Sequence, residues 1–461
     1  MTPFGFTPGG SDDPSQDPDF AEMLRAMQEQ MKEQFEMLGM NTAGFVNPLA
    51  SLFSQTPGGF PGEQTGKQTG KQTGEQEVLP QATVRDTAKK IVTTKGSMPL
   101  GTKDLSVVSS AFEISEIWLN EATAFPATSS GDHRATSRLD WVDTTLPGWI
   151  TMMEPLAAGL AAAISDLLDQ AIANQAESPD VHEQPPIEMI SMVLRSFIST
   201  MIAAQLGQSV GRLATEVTGA HDVGLPLLDP ARPLVIPENI ENWAQDLEIP
   251  KSEIFIFHAL REGAVARLFG HNPWLVSYIQ SAIVEYGKGI HIDIEAISRQ
   301  AEEAFEKMQE NSPSLDGVTG PDALTFSLDS GVFTPEESPA QKVALQKLET
   351  VLALIDGWAD DVTALSAGDR LPAIEQLRET LRRRRATSAP AQQLFSSLLG
   401  LQVSPKLSRE ASAFWKKVRE IRSVEERDQI WSSLLPTAAD LLEPEAFLAS
   451  SSIPDDLSGL L

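Results

Sequence analysis

SEIFIFHALREGAVARLF, residues 252–269, is the stretch on which the architecture turns. It reads as a helix with Ser252 placed as its N-cap. Asn272-Pro273 then supplies the cap and first-turn proline of a second helix that reaches about Gly287. Immediately upstream the helical pattern breaks. Pro226, Pro230, Pro233 and Pro237 surround Leu234, Val235 and Ile236, a short run better suited to a strand than a helix.

Outward from this point the chain is mostly helical. Toward the N-terminus, helices are predicted at 81–94, 104–123, 141–153, 156–175 and 187–213, with a polar loop at 126–137. In the last of these helices Gly207 and Gly211, with Ala203 and Ala204, make a small-residue face that lets another backbone come close. Toward the C-terminus a helix is predicted from His291 to Gln309, then a loop rich in Pro, Gly and Ser at 311–339. Helices resume at 341–365, 374–385, 390–399 and 408–421. The expected division is a flexible arm at 1–80, a helical domain at 81–449 and a disordered acidic tail at 450–461.

The arm carries a four-residue GKQT repeat, GEQTGKQTGKQTGEQ at 62–76, with no apolar side chain. Such a linker cannot bury enough surface to offset its ordering entropy. Within the arm, Phe20, Met23, Leu24, Met27, Met31, Phe35 and Leu38 fall on one helical face over about residues 18–38. That island is either a helix docking on its own domain or a Met-rich helix for an adaptable partner groove.

Composition narrows the function classes. Hydrophobic residues at 41% and charged residues at 21% describe a folded globular chain. Zero cysteines remove disulfides, thiolate catalysis and sulfur-ligated metals. A formal net charge of −29 argues against nucleic-acid binding, which requires a phosphate-neutralising surface. No membrane span is expected. The apolar run 156–164 is far shorter than the ~20 residues a span needs, and 187–206 encloses Glu188 and Arg195. With no secretory signal at the start, the expected setting is cytoplasmic. Nothing resembles a phosphate-binding glycine loop or a serine-nucleophile elbow.

Several segments together resemble one known family. They are SEIWLNEATAFPA (115–127), RLDWVDTTLPGW (138–149), GAHDVGLPL (219–227), LVIPENI (234–240) and HALREGAVARLFGHNPWL (258–275). LIDGWADDV (354–362), LRETLRRRRATSAPAQQLFSSLLGL (377–401) and ERDQIWSSLLPTAADLLEPEAF (426–447) complete the set. In order and number they are similar to the bacterial zincin-like metallopeptidases. The resemblance implies a mainly α, zincin-like helical domain with a minor β component.

It also implies where the chemistry would lie. A zincin presents HExxH on a helix, so that two imidazoles four residues apart grip zinc and the intervening glutamate serves as general base. Placed on this sequence, the first histidine position is Arg261, the base is Glu262 and the second histidine position is Val265. The third ligand would come from the Asp356-Gly357-Trp358 segment. With two imidazoles replaced, and a permanent cation at one position, no metal cofactor is expected. Zinc would be the cofactor if the family activity is retained. Arg261 is expected instead to bond an acid across the site, Asp356 being the candidate, or else to be a solvated surface arginine. A weaker alternative is an improvised metal site of His258, Glu262 and Glu285. His221-Asp222 is expected first to order its own turn. The four-arginine run 382–385 either complements a helix C-terminus or docks an acidic surface, which could be the chain's own. The leading function is a catalytically degenerate family member that binds a peptide or protein partner. The alternatives are an active zinc-dependent metalloprotease using non-standard ligands, and an assembly protein tethered by its Met-rich helix.

Overall fold

The computed structural model describes residues 78–128, 134–176, 187–289, 338–388 and 406–451. The expectations for the arm before residue 78, the helices at 291–309 and 390–399, the loop at 311–337 and the tail after 451 lie outside the described residues, as do His133, His182 and His291.

Twelve helices carry the fold among the described residues. They are α1 Gln81–Lys95, α2 Thr102–Ala122, α3 Arg138–Ala176, α4 Ile187–Ala214, α5 Pro237–Trp243 and α6 Lys251–His271. After these come α7 Trp274–Lys288, α8 Pro339–Ala367, α9 Ile374–Ser388, α10 Lys406–Ile421, α11 Val424–Gln429 and α12 Pro444–Ser451. Two expected helices, 141–153 and 156–175, are one. α3 runs through Pro147 and Pro155 without ending, although each interior proline forfeits a backbone hydrogen bond. Its packing against α4 and α7 holds the segment together.

Two helices lie at the centre. α6 packs on α2 and α8, and α8 packs in turn on α2, α7 and α10. Every residue of α6 from Ile254 to Phe269 is buried. A helix enclosed all round has no solvated stripe; its charged residues must therefore find partners inside the protein.

The N-terminal signal of α6 differs from expectation. The residue preceding α6 is Pro250, without a side-chain cap bond. Asn272 serves both helices: its Nδ2 donates to the Leu268 carbonyl of α6 at 2.9 Å, and its own carbonyl accepts from the Leu275 N–H of α7 at 3.0 Å. α8 begins on a true capping box: Ser338 accepts from the Gln341 N–H, and the Gln341 side chain accepts from the Ser338 N–H.

The expected β component is corrected. The 234–236 run forms isolated bridges and no strand is present among the described residues. Val235 bridges Ala135 in parallel and Gly219 in antiparallel sense. The prolines on either side leave too few donors to extend this pairing into a ladder.

The small-residue face of α4 works as close packing against α1. A Cβ built on Gly211 would stand 2.7 Å from the Ala88 carbonyl oxygen, and a backbone atom in a packed helix cannot swing aside. Gly211→Ala should therefore destabilise the protein. Overpacking of about 1–3 kcal/mol outweighs the ~1 kcal/mol gained in helix propensity, and denaturant unfolding should show a lower midpoint at unchanged slope.

Candidate functional site

α6 brings four ionisable side chains into the interior: His258, Arg261, Glu262 and Arg267. Arg267 is satisfied structurally, donating to the Phe125 and Glu116 carbonyls at 3.2 Å each. The other three line a small cavity with Thr218, Gly219, His221, Asp222, Val235 and Val265, and with Leu381 and Arg385 from α9. It leaves about 20 Å³ for water-sized molecules, room for about one.

Glu262 is consumed by the loop opposite. Its Oε1 accepts from the Ala220 N–H at 3.2 Å and the Leu234 N–H at 3.0 Å, and its Oε2 from the His221 N–H at 3.2 Å. His221 Nδ1 lies 2.8 Å from Oε1, and since a carboxylate accepts, the imidazole donates. Gly219 is required here, because a Cβ on it would run into the Glu262 carboxylate. Asp222 closes the same turn by accepting from the Thr218 N–H at 2.9 Å and its hydroxyl at 3.0 Å. His221 and Asp222 thus order the turn, as their position suggests.

Arg261 faces the acids of α8. Its Nη2 donates to Asp356 Oδ1 at 2.6 Å, and its Nη1 stands 3.9 Å from Asp360. At 9% exposure it is no solvated surface arginine. Arg385 of α9 bonds the same Asp356 oxygen and pairs with Asp222 at 2.7 Å. Asp360 accepts from Arg378 through both oxygens, at 3.0 and 2.7 Å, from Arg382 at 3.2 Å and from Ser412 at 2.6 Å. The arginine run therefore meets the chain's own acids.

The electrostatics follow from this lattice. Burial would raise the Asp356 carboxyl, but Arg385 and Arg261 outweigh it and hold it below its ordinary value. Burial acts the same way on Asp222, where Arg385 and the Thr218 N–H prevail and keep it down at about 2. Burial also works against the Arg385 guanidinium, yet Asp356 and Asp222 raise it well above its usual range. His258 is different. Burial drives it down to about 3; Asp222 opposes that shift, and Arg261, Arg385 and Arg384 reinforce it. Its ring stands edge-on to Trp243 and Phe257, and its Nε2, like that of His221, is buried without a partner.

The other candidates lie elsewhere. Trp358 is fully buried, donates to Asp428 at 2.8 Å and packs on Trp431 and Phe125. Of the expected third-ligand segment, Asp356 alone reaches Arg261. Glu285 is half-exposed and pairs with Lys347 at 3.3 Å, outside the cavity lined by His258 and Glu262, so the improvised three-residue metal set is not assembled. The described residues contain no group of three or more His, Asp or Glu placed to hold a metal. The donors present do not fit a catalytic zinc. Arg261 and Val265 offer no lone pair, Glu262 is held by four donors of the loop opposite, and Asp356 is committed to two guanidinium groups. Sequence reading missed the pairing of Asp360 with Arg378 and Arg382. The signal was there in the i, i+4 spacing of Asp356 and Asp360, which sets both on one face of α8.

Two outcomes are expected. Breaking a buried pair costs about 3–5 kcal/mol, and Arg385 remains to hold Asp356, so Arg261→Ala should fall below that range while still lowering the melting temperature. An unchanged melting temperature would reject the pairing as a stabilising contact. The second concerns pH. In the unfolded chain His258 titrates near 6.5, against about 3 when folded. Above 6.5 it is neutral in both states and stability is full. Between 6.5 and 3 only the unfolded chain takes up the proton, so stability falls as pH falls. Asp222 adds a second loss between 3.8 and about 2. Urea unfolding across pH 7 to 4 should show this slope, and His258→Gln should flatten it.

Comparison with known proteins agrees with this architecture. The family model described as zincin-like metallopeptidase matches residues 81–448. No curated protein matches the chain. A crystal structure from Chloroflexus aurantiacus, of a hydrolase candidate with a novel fold, superposes with a TM-score of 0.53 at 15% identity, covering 81% of this chain and 98% of that one. At that identity the likeness speaks to the fold alone. No described helix is long and apolar enough to cross a membrane.

Proposed function

We infer that this chain, which belongs to the zincin-like metallopeptidase family, is a catalytically silent member that keeps the scaffold to bind a peptide or protein partner. The observation carrying this reading is the state of Glu262. A general base must be turned toward the attacking water, and here four donors from the 219–221 turn and Leu234 hold the carboxylate in the loop, three at Oε1 and one at Oε2. Arg261 points the same way. It supplies a positive charge at the metal position, but a guanidinium has no vacant coordination site and cannot polarise a carbonyl as zinc would. The lack of cysteine suits a reducing, cytoplasmic setting.

An active zinc-dependent metalloprotease is what family membership alone would suggest. Two measurements separate the readings. Protein purified without chelator should carry far less than one zinc per chain by elemental analysis, before and after incubation with zinc, and should leave unstructured peptide substrates intact. Glu262→Gln should lower stability by about 1–3 kcal/mol, because the amide turns a donor toward buried N–H groups. Near-stoichiometric zinc, with peptidase activity that Glu262→Gln abolishes at an unchanged melting temperature, would overturn the scaffold reading.

A further inference from the structure

α9 carries two adjacent stripes. Ile374, Leu377 and Leu381 are buried. Arg378 and Arg382, each one position on from a leucine, and Arg385, four beyond Leu381, reach Asp360, Asp356 and Asp222. Leu381 and Arg385 form part of the wall of the cavity that Arg261, Glu262 and Val265 line from α6. Arg384 adds a cation–π contact over Trp243, 4.8 Å from the ring centroid. The helix is thus held at the zincin motif by three apolar side chains and a set of ion pairs to three acids on other elements.

Both replacements in the motif suit this occupant. Val265 gives an apolar wall in the cavity that Leu381 also lines, and Arg261 shares Asp356 with Arg385. We propose that the motif face is a receptor for a basic amphipathic helix, that α9 fills it in cis, and that the partner of this scaffold is a helix of the same chemistry, apolar at i, i+3 and i+7 with arginines at i+4, i+8 and i+11, which displaces α9. The proposal rests on the scaffold reading above. It commits to an arginine-bearing helix because Asp222, Asp356 and Asp360 each receive a guanidinium, and the arginine fork matches a carboxylate bidentately, as Arg378 does on Asp360. α9 packs far less closely on α6 and on α8 than those two helices pack on each other, so it should be released more readily than they separate.

The probe is a fluorescent peptide of the α9 sequence, IEQLRETLRRRRATS, titrated into the full chain beside a scrambled peptide of identical composition. The scramble controls for attraction of any cation to a chain of net charge −29. Weakening the cis helix with Arg378→Ala and Arg385→Ala should tighten binding of the α9 peptide at least tenfold over wild type, with no such gain for the scramble. Asp356→Asn with Asp360→Asn should abolish the gain. Hydrogen exchange on wild-type protein decides the matter should those variants fail to fold. Excess α9 peptide should raise exchange in the amides of 374–388 while those of α6 and α8 stay protected. Equal binding of the scramble, or α9 amides that open only together with α6 and α8, would overturn the proposal. Either result leaves the zinc and peptidase measurements untouched, so failure here is distinguishable from failure of the scaffold reading.

Discussion

A charged side chain inside a helix that no face exposes to water must be met by a partner, and α6 sets that requirement four times. Each answer comes from a different part of the chain. Glu262 is met by the 219–221 turn and Leu234, Arg267 by carbonyls of 116 and 125, Arg261 by Asp356, and His258 by remaining neutral. An unpaired buried charge costs far more than any single apolar contact returns. The loop before α5, the register of α8 on α6 and the docking of α9 are therefore tied to the residues of one helix.

How much of this was legible beforehand depends on range. The helices were readable because their signal is local: apolar spacing along 104–123 or 408–421 needs no knowledge of neighbours. The family segments were readable for the same reason. Helix boundaries were less so. Ser252 has the chemistry of a cap, yet the helix starts one residue earlier behind Pro250, and Pro155 suggested a break that packing overrides. Leu234–Val235–Ile236 has strand composition without a partner able to complete a ladder. Propensity states what a segment tolerates; the neighbours decide what it becomes.

The site divides along the same line. Asp356 could be named as the partner of Arg261 because it lies in a family-like segment. The contacts of Arg385 with Asp222, 163 residues away, and the role of the His221 ring against Glu262 have no local signature. Glu285 shows the reverse error. It sits on the helix following the motif, but the turn at 272–273 sends it toward Lys347 of α8.

Exchanging a bound dication for arginine conserves one physical quantity and gives up another. With Arg261 in place the carboxylates of α8 face a positive charge, so the cost of burying them is met by the chain itself. The guanidinium is, however, planar, covalently anchored and fully occupied by directional N–H bonds, whereas zinc offers a fourth ligand position in which water is acidified. The fold depends on the sign and position of the charge; hydrolysis depends on the open coordination site. Arg261 meets the first requirement alone. Because Asp356 accepts from Arg261 and from Arg385 at the same oxygen, α6 and α9 are tied together through one carboxylate of α8.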